Sequence, residues 1–311
     1  MKKKVLISAP YFIPVVDRYR EIFEENDIEV VVADVNERLS EKELLDVISD
    51  IDGVICGDDR FTEKVLAVAK RLKVISKWGT GIDSIDRDAC ARFNIDVKNT
   101  PNAFTEPVSD SVMCYILCFA RKIPWMDKAM KSGVWEKIPG ISLKEATLGI
   151  IGMGNIGKAV ARKASAFGMR LLGNDIKEID KGFVSYYGVE MVEKEYLYKE
   201  SDFISLNCDL NEYSFHLIDK VALKQMKKRP FIINTARGAI VKEMDLVEAL
   251  NQGIVAGVGL DVFEREPLPS DSPLLKMDNV LLAPHNSNSS PSAWERVHEN
   301  TVKNLLEGLG K

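Results

Sequence analysis

Histidine is scarce in this chain, three residues in 311, and cysteine is nearly so at five. Cys56, Cys90, Cys114, Cys118 and Cys208 make no CxxC pair and no even framework, which excludes a disulfide scaffold and the common zinc spacings. Cys114 and Cys118 are four apart on an expected helix and share a face. With no histidine near them they read as ordinary buried thiols, and no metal site is expected. Reduced cysteines suit a cytoplasmic setting. Long apolar runs are also missing: none approaches the ~20 residues of a bilayer span, so no membrane partner is expected, and Val112 to Ala120 belongs in a buried helix. The basic start, Met1-Lys2-Lys3-Lys4-Val5-Leu6-Ile7, leads into an apolar stretch that stops at Pro10. That is too short for a signal peptide and reads as a first strand after a solvated lysine run. The chain has no basic excess, with a net charge of −5 and a pI near 5.5, so nucleic acid is not an expected partner. Internal repeats and low-complexity tracts are absent too.

What the chain has is alternation. Apolar residues make up 46% and charged residues 29%, the balance of a globular protein of two ordinary domains. Short β-branched runs alternate with helical patterns, which predicts parallel sheets covered by helices on both faces. Strands are expected at Val5–Ser8, Val30–Ala33, Gly53–Cys56 and Lys73–Ser76, with helices near Arg18–Glu25, Glu41–Ile48 and Lys64–Lys70. This first α/β unit ends near Val97. A long helix is expected after Pro107, to about Arg121. A second unit begins near Ala146, with strands Thr147–Ile151, Arg170–Asn174, Phe203–Leu206, Phe231–Asn234, Gly257–Asp261 and Val280–Ala283. Helices such as Lys158–Phe167 and Met244–Asn251 fit between them. The final helix, about Ser292–Leu309, has nothing left to pack on in that unit. Its return to the first unit is permitted by the sequence and left open by it.

The strongest local signal is Gly152-Met153-Gly154-Asn155-Ile156-Gly157, placed between an expected strand and an expected helix. Gly152 permits a tight turn, Gly154 lets a pyrophosphate approach the backbone, and Gly157 lets helix and strand pack closely. The N–H groups of Asn155 and Ile156 then face an anion at the helix N-terminus. About 20 residues on, Asp175 closes the next strand, where a carboxylate meets ribose hydroxyls. It would repel a 2′-phosphate, and Ile176 follows it rather than arginine, so NAD is favoured over NADP.

Three later strands end in chemically useful residues. Asn234-Thr235-Ala236 delivers Arg237, Gly257–Phe263 leads to Glu264 and Glu266, and Ala283-Pro284 delivers His285. An arginine fork can hold a carboxylate and polarise a carbonyl. An imidazole can carry a proton to or from an alkoxide. A carboxylate on its other nitrogen fixes the tautomer and favours the charged form. Such a trio suits hydride transfer to a 2-oxo acid. His216, in an expected loop, and His298, in the final helix, read as non-catalytic.

Taken together, these blocks resemble the D-isomer-specific 2-hydroxyacid dehydrogenases, the family that includes phosphoglycerate and glycerate dehydrogenases. The resemblance covers nearly the whole chain. It rests on Gly79-Thr80-Gly81-Ile82-Asp83, Asn99-Thr100-Pro101, the glycine-rich turn, Asn234-Thr235-Ala236-Arg237-Gly238, Leu260-Asp261-Val262-Phe263-Glu264-Arg265-Glu266-Pro267 and Ala283-Pro284-His285. It implies an α/β fold of two doubly wound parallel-sheet domains. The larger, 99–288, is a Rossmann NAD-binding domain. The smaller, 1–98 with 289–311, is a flavodoxin-like substrate domain completed by the C-terminal helix. It implies Arg237, Glu266 and His285 as the catalytic residues, with Glu266 rather than Glu264 as the acid. Asp261 is then on the nicotinamide carboxamide, Thr235 and Ala236 line the nicotinamide, Cys208 lies in the adenine-side loop, and the backbone near Thr80 and Gly81 grips the substrate carboxylate.

A homodimer built around the long helix is also implied. Departures from the family pattern include Asn207-Cys208-Asp209, Lys242 and, beside the histidine, Asn286-Ser287-Asn288; the last bears on substrate choice. The substrate's side-chain pocket is expected from Pro10-Tyr11-Phe12 and Cys56–Phe61, with Trp78 narrowing it. Arg60 suits a phosphate, which Asp58 and Asp59 would oppose. An NAD-sensing binding protein on the same fold is the alternative function.

Overall fold

The computed structural model describes residues 2–311. Its strands are β1 Lys3–Ile7, β2 Ile28–Val32, β3 Gly53–Cys56, β4 Val74–Lys77, β5 Asp96–Lys98, β6 Thr147–Ile151, β7 Arg170–Asn174, β8 Val189–Met191, β9 Phe203–Leu206, β10 Phe231–Asn234, β11 Gly257–Leu260 and β12 Val280–Leu282. Its helices are α1 Arg20–Glu25, α2 Glu41–Val47, α3 Glu63–Val68, α4 Arg87–Arg92, α5 Thr105–Arg121, α6 Ile123–Lys131, α7 Asn155–Ala166, α8 Lys181–Tyr187, α9 Lys194–Glu200, α10 Lys220–Gln225, α11 Glu243–Asn251 and α12 Pro291–Leu309. None of these helices is long and apolar enough to cross a membrane.

The chain divides into two units, Met1–Phe104 with Ser290–Lys311, and Thr105–Ser289. The segment from Asn99 to Phe104 therefore belongs to the first unit, not the second as the sequence suggested. Thr100 N–H bonds Gly79 O at 2.8 Å, and Thr80 Oγ1 donates to Thr100 O at 2.9 Å. These bonds tie the segment to the turn after β4.

In the first unit the sheet order is β2-β1-β3-β4-β5, all parallel. This is the flavodoxin-like order, whose direction reverses between β1 and β3. The central strands β3 and β4 are buried along their whole length, as expected where helices cover both faces. One cover is α12. Its buried residues Val297, Thr301, Val302, Leu305 and Leu309 recur at helical spacing. Ser76 Oγ donates to Thr301 O at 2.8 Å, so the last helix of the chain is bonded to β4.

The second unit has the order β12-β11-β10-β9-β6-β7-β8, again all parallel. The chain winds outward from β6 through β7 to β8, then returns to β9 and winds the other way. β6 and β9 are thus the topological switch point of a doubly wound sheet, where ligands bind beyond the carboxyl ends of strands. Long helix α5 packs Val108, Val112, Ile116 and Phe119 inward. Cys114 and Cys118 sit two positions from Val112 and Ile116, on the other side of the helix. Cys114 is therefore exposed and Cys118 half-buried, not buried as expected.

Asp59 gives the first unit a pH-dependent weakness. It is fully buried, accepts Leu39 N–H at 2.6 Å and Ser8 Oγ–H, and burial raises its pKa to about 6. The unfolded chain releases this proton near pH 3.9, at the reference value. As pH rises from about 4 to about 6 the unfolded state therefore binds fewer protons than the folded one. Stability from this group falls across that window and stays lost above it, by about 2–3 kcal/mol. Asp59→Asn keeps an acceptor for Leu39 N–H and cannot ionise. In urea unfolding, the stability of wild type relative to Asp59→Asn should drop between pH 4 and pH 6. Parallel pH profiles would show that Asp59 titrates alike in both states.

Candidate active site

At the end of β6 the backbone must turn sharply past the loop after β9. Gly152 has φ of +88°, and a Cβ there would lie 2.5 Å from Cys208 N, so only glycine fits. A Cβ on Gly157 would lie 2.0 Å from Gly152 O, which is why α7 can start so close to β6. Helix α7 begins at Asn155, three residues earlier than expected, and brings its N-terminus up to the turn. Its first internal bond runs from Lys158 N–H to Gly154 O at 2.9 Å, and no side chain caps it. The preceding N–H groups lie at the helix's positive end. A Cβ built on Gly154 meets nothing within 4 Å beyond its own chain neighbours. The turn thus leaves room for a diphosphate where the backbone presents donors to one.

Asp175, at the end of β7, accepts Met153 N–H at 2.6 Å and Lys177 N–H at 2.9 Å. Two backbone bonds fix its carboxylate beside the glycine turn and leave further lone pairs for ribose hydroxyls. Cys208 lies in the loop after β9, and burial pushes its thiol up to about 11. It stays protonated and acts there as an apolar surface. Thr235 is buried, and its Oγ1 has no hydrogen-bond partner among the described residues. An orphaned hydroxyl next to Ala236, at the end of β10, fits a site shaped for a polar ligand.

Arg237, Glu266 and His285 follow three adjacent strands, β10, β11 and β12. Asn234 Oδ1 accepts Ala236 N–H at 3.1 Å and its Nδ2 donates to Arg237 O at 2.9 Å. Those bonds fold the turn that projects Arg237, half-buried, with Nη1 donating to Ala236 O at 2.8 Å. Glu266 Oε1 accepts Phe263 N–H at 3.0 Å, and Oε2 lies 3.1 Å from His285 Nδ1. His285 has φ of +51°, uncommon outside glycine and a frequent mark of a functional turn. Asp261 holds it there: the Asp261 carbonyl accepts His285 N–H, and its carboxylate accepts the N–H groups of Asn286 and Ser287, each at 2.8 Å. Glu264 turns elsewhere, to His216 Nε2 at 2.5 Å and Glu243 N–H at 3.1 Å. That second His–Glu pair was not legible in the sequence, where its members lie 48 residues apart in two loops.

In the first unit, Gly79 has φ of +119°, and the turn it opens is braced by Asn99 Nδ2 donating to Thr80 O at 2.6 Å. No acceptor among the described residues takes the N–H of Thr80 or Gly81. Two neighbouring N–H groups in such a turn can receive a carboxylate. Asp58 and Asp59, expected to oppose a phosphate at Arg60, have partners or surroundings of their own. Asp59 is buried, and Asp58 pairs with Lys77 at 3.2 Å.

A doubly wound sheet with a glycine turn at its switch point and an acid closing the next strand defines a dinucleotide-binding protein. The comparisons narrow it further. Residues 113–287 match the D-isomer specific 2-hydroxyacid dehydrogenase, NAD binding domain. A glyoxylate reductase of Korarchaeum cryptofilum is 38% identical over 275 residues, 86% of this chain and 82% of that protein. A hydroxypyruvate reductase of Thermotoga maritima is 38% identical over 281 residues, covering 88% and 90%. The crystal structure of D-lactate dehydrogenase from Aquifex aeolicus, complexed with NAD and lactic acid, aligns over 99% of this chain and 98% of that one, with a TM-score of 0.86 and 28% identity. The chain belongs to the D-isomer specific 2-hydroxyacid dehydrogenases and is an NAD-dependent enzyme.

Asp175 should set the choice between NADH and NADPH. Its carboxylate suits the ribose hydroxyls and opposes a phosphate on the same sugar. A charge-assisted hydrogen bond is worth about 1.5–3 kcal/mol, so Asp175→Ala should lower kcat/KM for NADH by roughly 10- to 100-fold and shrink the preference over NADPH. Steady-state kinetics with both cofactors and one oxo acid checks this. A wild-type preference for NADPH would contradict it.

Proposed function

We propose that the enzyme transfers a hydride between NAD(H) and a small D-2-hydroxy or 2-oxo acid of the glyoxylate and hydroxypyruvate class, with Arg237 orienting the substrate and His285, paired with Glu266, moving the proton. The observation that carries this is the 3.1 Å approach of Glu266 to His285 Nδ1, which fixes the ring through that nitrogen and makes Nε2 the one that carries the proton. The substrate class follows from the names of the two reductases that resemble the chain.

NADH, when bound, supplies the hydride that reduces the carbonyl carbon. Gly152, Gly154, Asn155, Ile156 and Gly157 would hold its diphosphate, Asp175 its ribose, Cys208 its adenine side, and Thr235, Ala236 and Asp261 its nicotinamide. The N–H groups of Thr80 and Gly81 take the substrate carboxylate. Arg237 binds and polarises the 2-oxo group, drawing charge onto its oxygen. The imidazolium Nε2–H then gives its proton to that oxygen as the C–O double bond becomes a single bond. In the oxidative direction neutral Nε2 removes the same proton. Glu266 stabilises the imidazolium and keeps the ring in one orientation.

The same reading includes a homodimer built on the outer side of α5, where Met113, Leu117, Ile123 and Phe167 line an apolar groove. It includes a cytoplasmic setting, which suits free cysteines.

Arg237→Ala should remove most activity while NADH binding, followed by fluorescence, is retained. Arg237→Lys should rescue little, because an ammonium lacks the planar fork. Unchanged kcat/KM in the alanine variant would take Arg237 out of the site.

The direction of catalysis should depend on the protonation of His285. Reduction needs imidazolium and should fall as pH rises; oxidation needs neutral imidazole and should increase. Glu266→Gln keeps a hydrogen-bonding group but deletes the charge that favours imidazolium, so the reductive limb should move to lower pH. The test is kcat/KM against pH in both directions for wild type, Glu266→Gln and His285→Ala. If Glu266→Gln leaves both limbs in place, the carboxylate does not tune the histidine. A His285→Ala variant with the wild-type rate and profile would mean another proton carrier.

A further inference from the structure

The carboxyl edge of the first unit's sheet carries a group of aromatic rings that the proposed chemistry does not use. Tyr11 follows β1, Trp78 follows β4, and Trp294 lies in the first turn of α12. The three rings touch pairwise, with centroids 5.2 Å apart for Tyr11 and Trp78, 5.0 Å for Tyr11 and Trp294, and 5.9 Å for the two indoles. Tyr11 and Trp294 are half-buried, whereas Trp78 is buried and fixed. Its Nε1–H donates to His298 Nδ1 at 3.0 Å. Burial lowers the pKa of His298, so the ring stays neutral and Nδ1 stays an acceptor. His298 is one helical turn beyond Trp294 on α12, so one helix places one indole and anchors the other.

Trp78 also precedes Gly79-Thr80-Gly81 directly, and that turn is braced by the same helix. Asn300 Nδ2 donates to Thr100 Oγ1 at 2.9 Å and Asn304 Nδ2 to Asn99 O at 3.0 Å. The turn's open N–H pair and the aromatic trio are thereby held in fixed register at one sheet edge, the edge where ligands of open parallel sheets bind. Large half-exposed aromatic rings at such an edge form a stiff surface with little conformational freedom to lose.

We infer that Tyr11, Trp78 and Trp294 form an aromatic wall at the side-chain end of the substrate and restrict the enzyme to two- and three-carbon 2-oxo acids. The inference rests on the reading that Thr80 and Gly81 hold the substrate carboxylate. With that end fixed, every added carbon extends toward rings that cannot swing away, because Trp78 is pinned by His298 and the other two rings pack against it. A rigid apolar site discriminates roughly 10- to 200-fold per methylene.

The test is a kcat/KM series with NADH over glyoxylate, hydroxypyruvate, pyruvate, 2-oxobutanoate and 4-methyl-2-oxopentanoate, for wild type, Trp294→Ala, Trp294→Phe and Tyr11→Ala. Circular dichroism and NADH binding establish that each variant is folded. Wild type should fall by roughly tenfold or more from pyruvate to the branched acid. The ratio of branched acid to glyoxylate should rise at least about tenfold in Trp294→Ala and in Tyr11→Ala, mainly through KM for the branched acid. Trp294→Phe should stay near the wild-type ratio. A wild type that uses the branched acid as well as glyoxylate overturns the wall, with no need of any variant. An active wild type whose ratio is unmoved in both alanine variants does the same while leaving the dehydrogenase reading intact. A wild type that reduces none of the series sinks both.

Discussion

The geometry of the His285–Glu266 pair depends on one buried carboxylate. Asp261 is 1% exposed and closes the turn after β11. Its oxygens accept the N–H groups of Asn286 and Ser287, and its carbonyl accepts His285 N–H. Charge-assisted bonds of this kind are worth about 1.5–3 kcal/mol each, and without them a buried charge would be strongly unfavourable. Together they hold His285 at a positive φ that a free loop would seldom adopt. Glu266 then sets the imidazole from its other side. Its own Oε1 is fixed by Phe263 N–H, three residues back on the loop that Asp261 begins. One short segment, 261–267, thus sets both the backbone and the ring of His285.

Parallel-sheet topology explains why the other groups arrive nearby. β10, β11 and β12 are hydrogen-bonded neighbours running in one direction, so the residues that follow them leave the sheet on one edge. The buried strands need apolar residues; the turns beyond them do not, and polar chemistry is free to collect there. β6 and β9 part at the same edge, and the glycine turn brings the N-terminus of α7 to it. The sheet supplies direction, and the turns supply chemistry.

Much of this was legible in the sequence because the signals are local. The glycine turn, Asp175, Arg237 and His285 each sit at the end of a short run with an apolar centre, and those runs match β6, β7, β10 and β12 to within a residue or so. Weaker elements escaped. β8 is three residues long, with only Val189 buried, and α6 restarts after a left-handed Lys122 immediately beyond α5. Cys114 is exposed where the sequence suggests burial, and the reason is physical. The run from Val112 to Ala120 is apolar nearly all round, so its spacing does not say which side faces the core. The pairing of His216 with Glu264 depends on how two loops fold, and no spacing encodes that.

The terminal helix carries this argument furthest. Its sequence shows an amphipathic pattern but not the surface it meets. Once α12 lies on β3, β4 and β5, its residues divide by face. Leu305 and Leu309 fill the core, Asn300 and Asn304 brace the turn at Thr80, and Trp294 and His298 position the rings beside it. These partners lie some 200 residues apart in the chain; Asn300 to Thr100 and Trp78 to His298 are separated by 200 and 220 residues. Reaction class is written in contiguous motifs at strand ends. The contacts between the first strands and the last helix exist only after the chain has closed on itself. That is why the sequence could point to Tyr11 and Trp78 but not to Trp294, which only the fold brings against them.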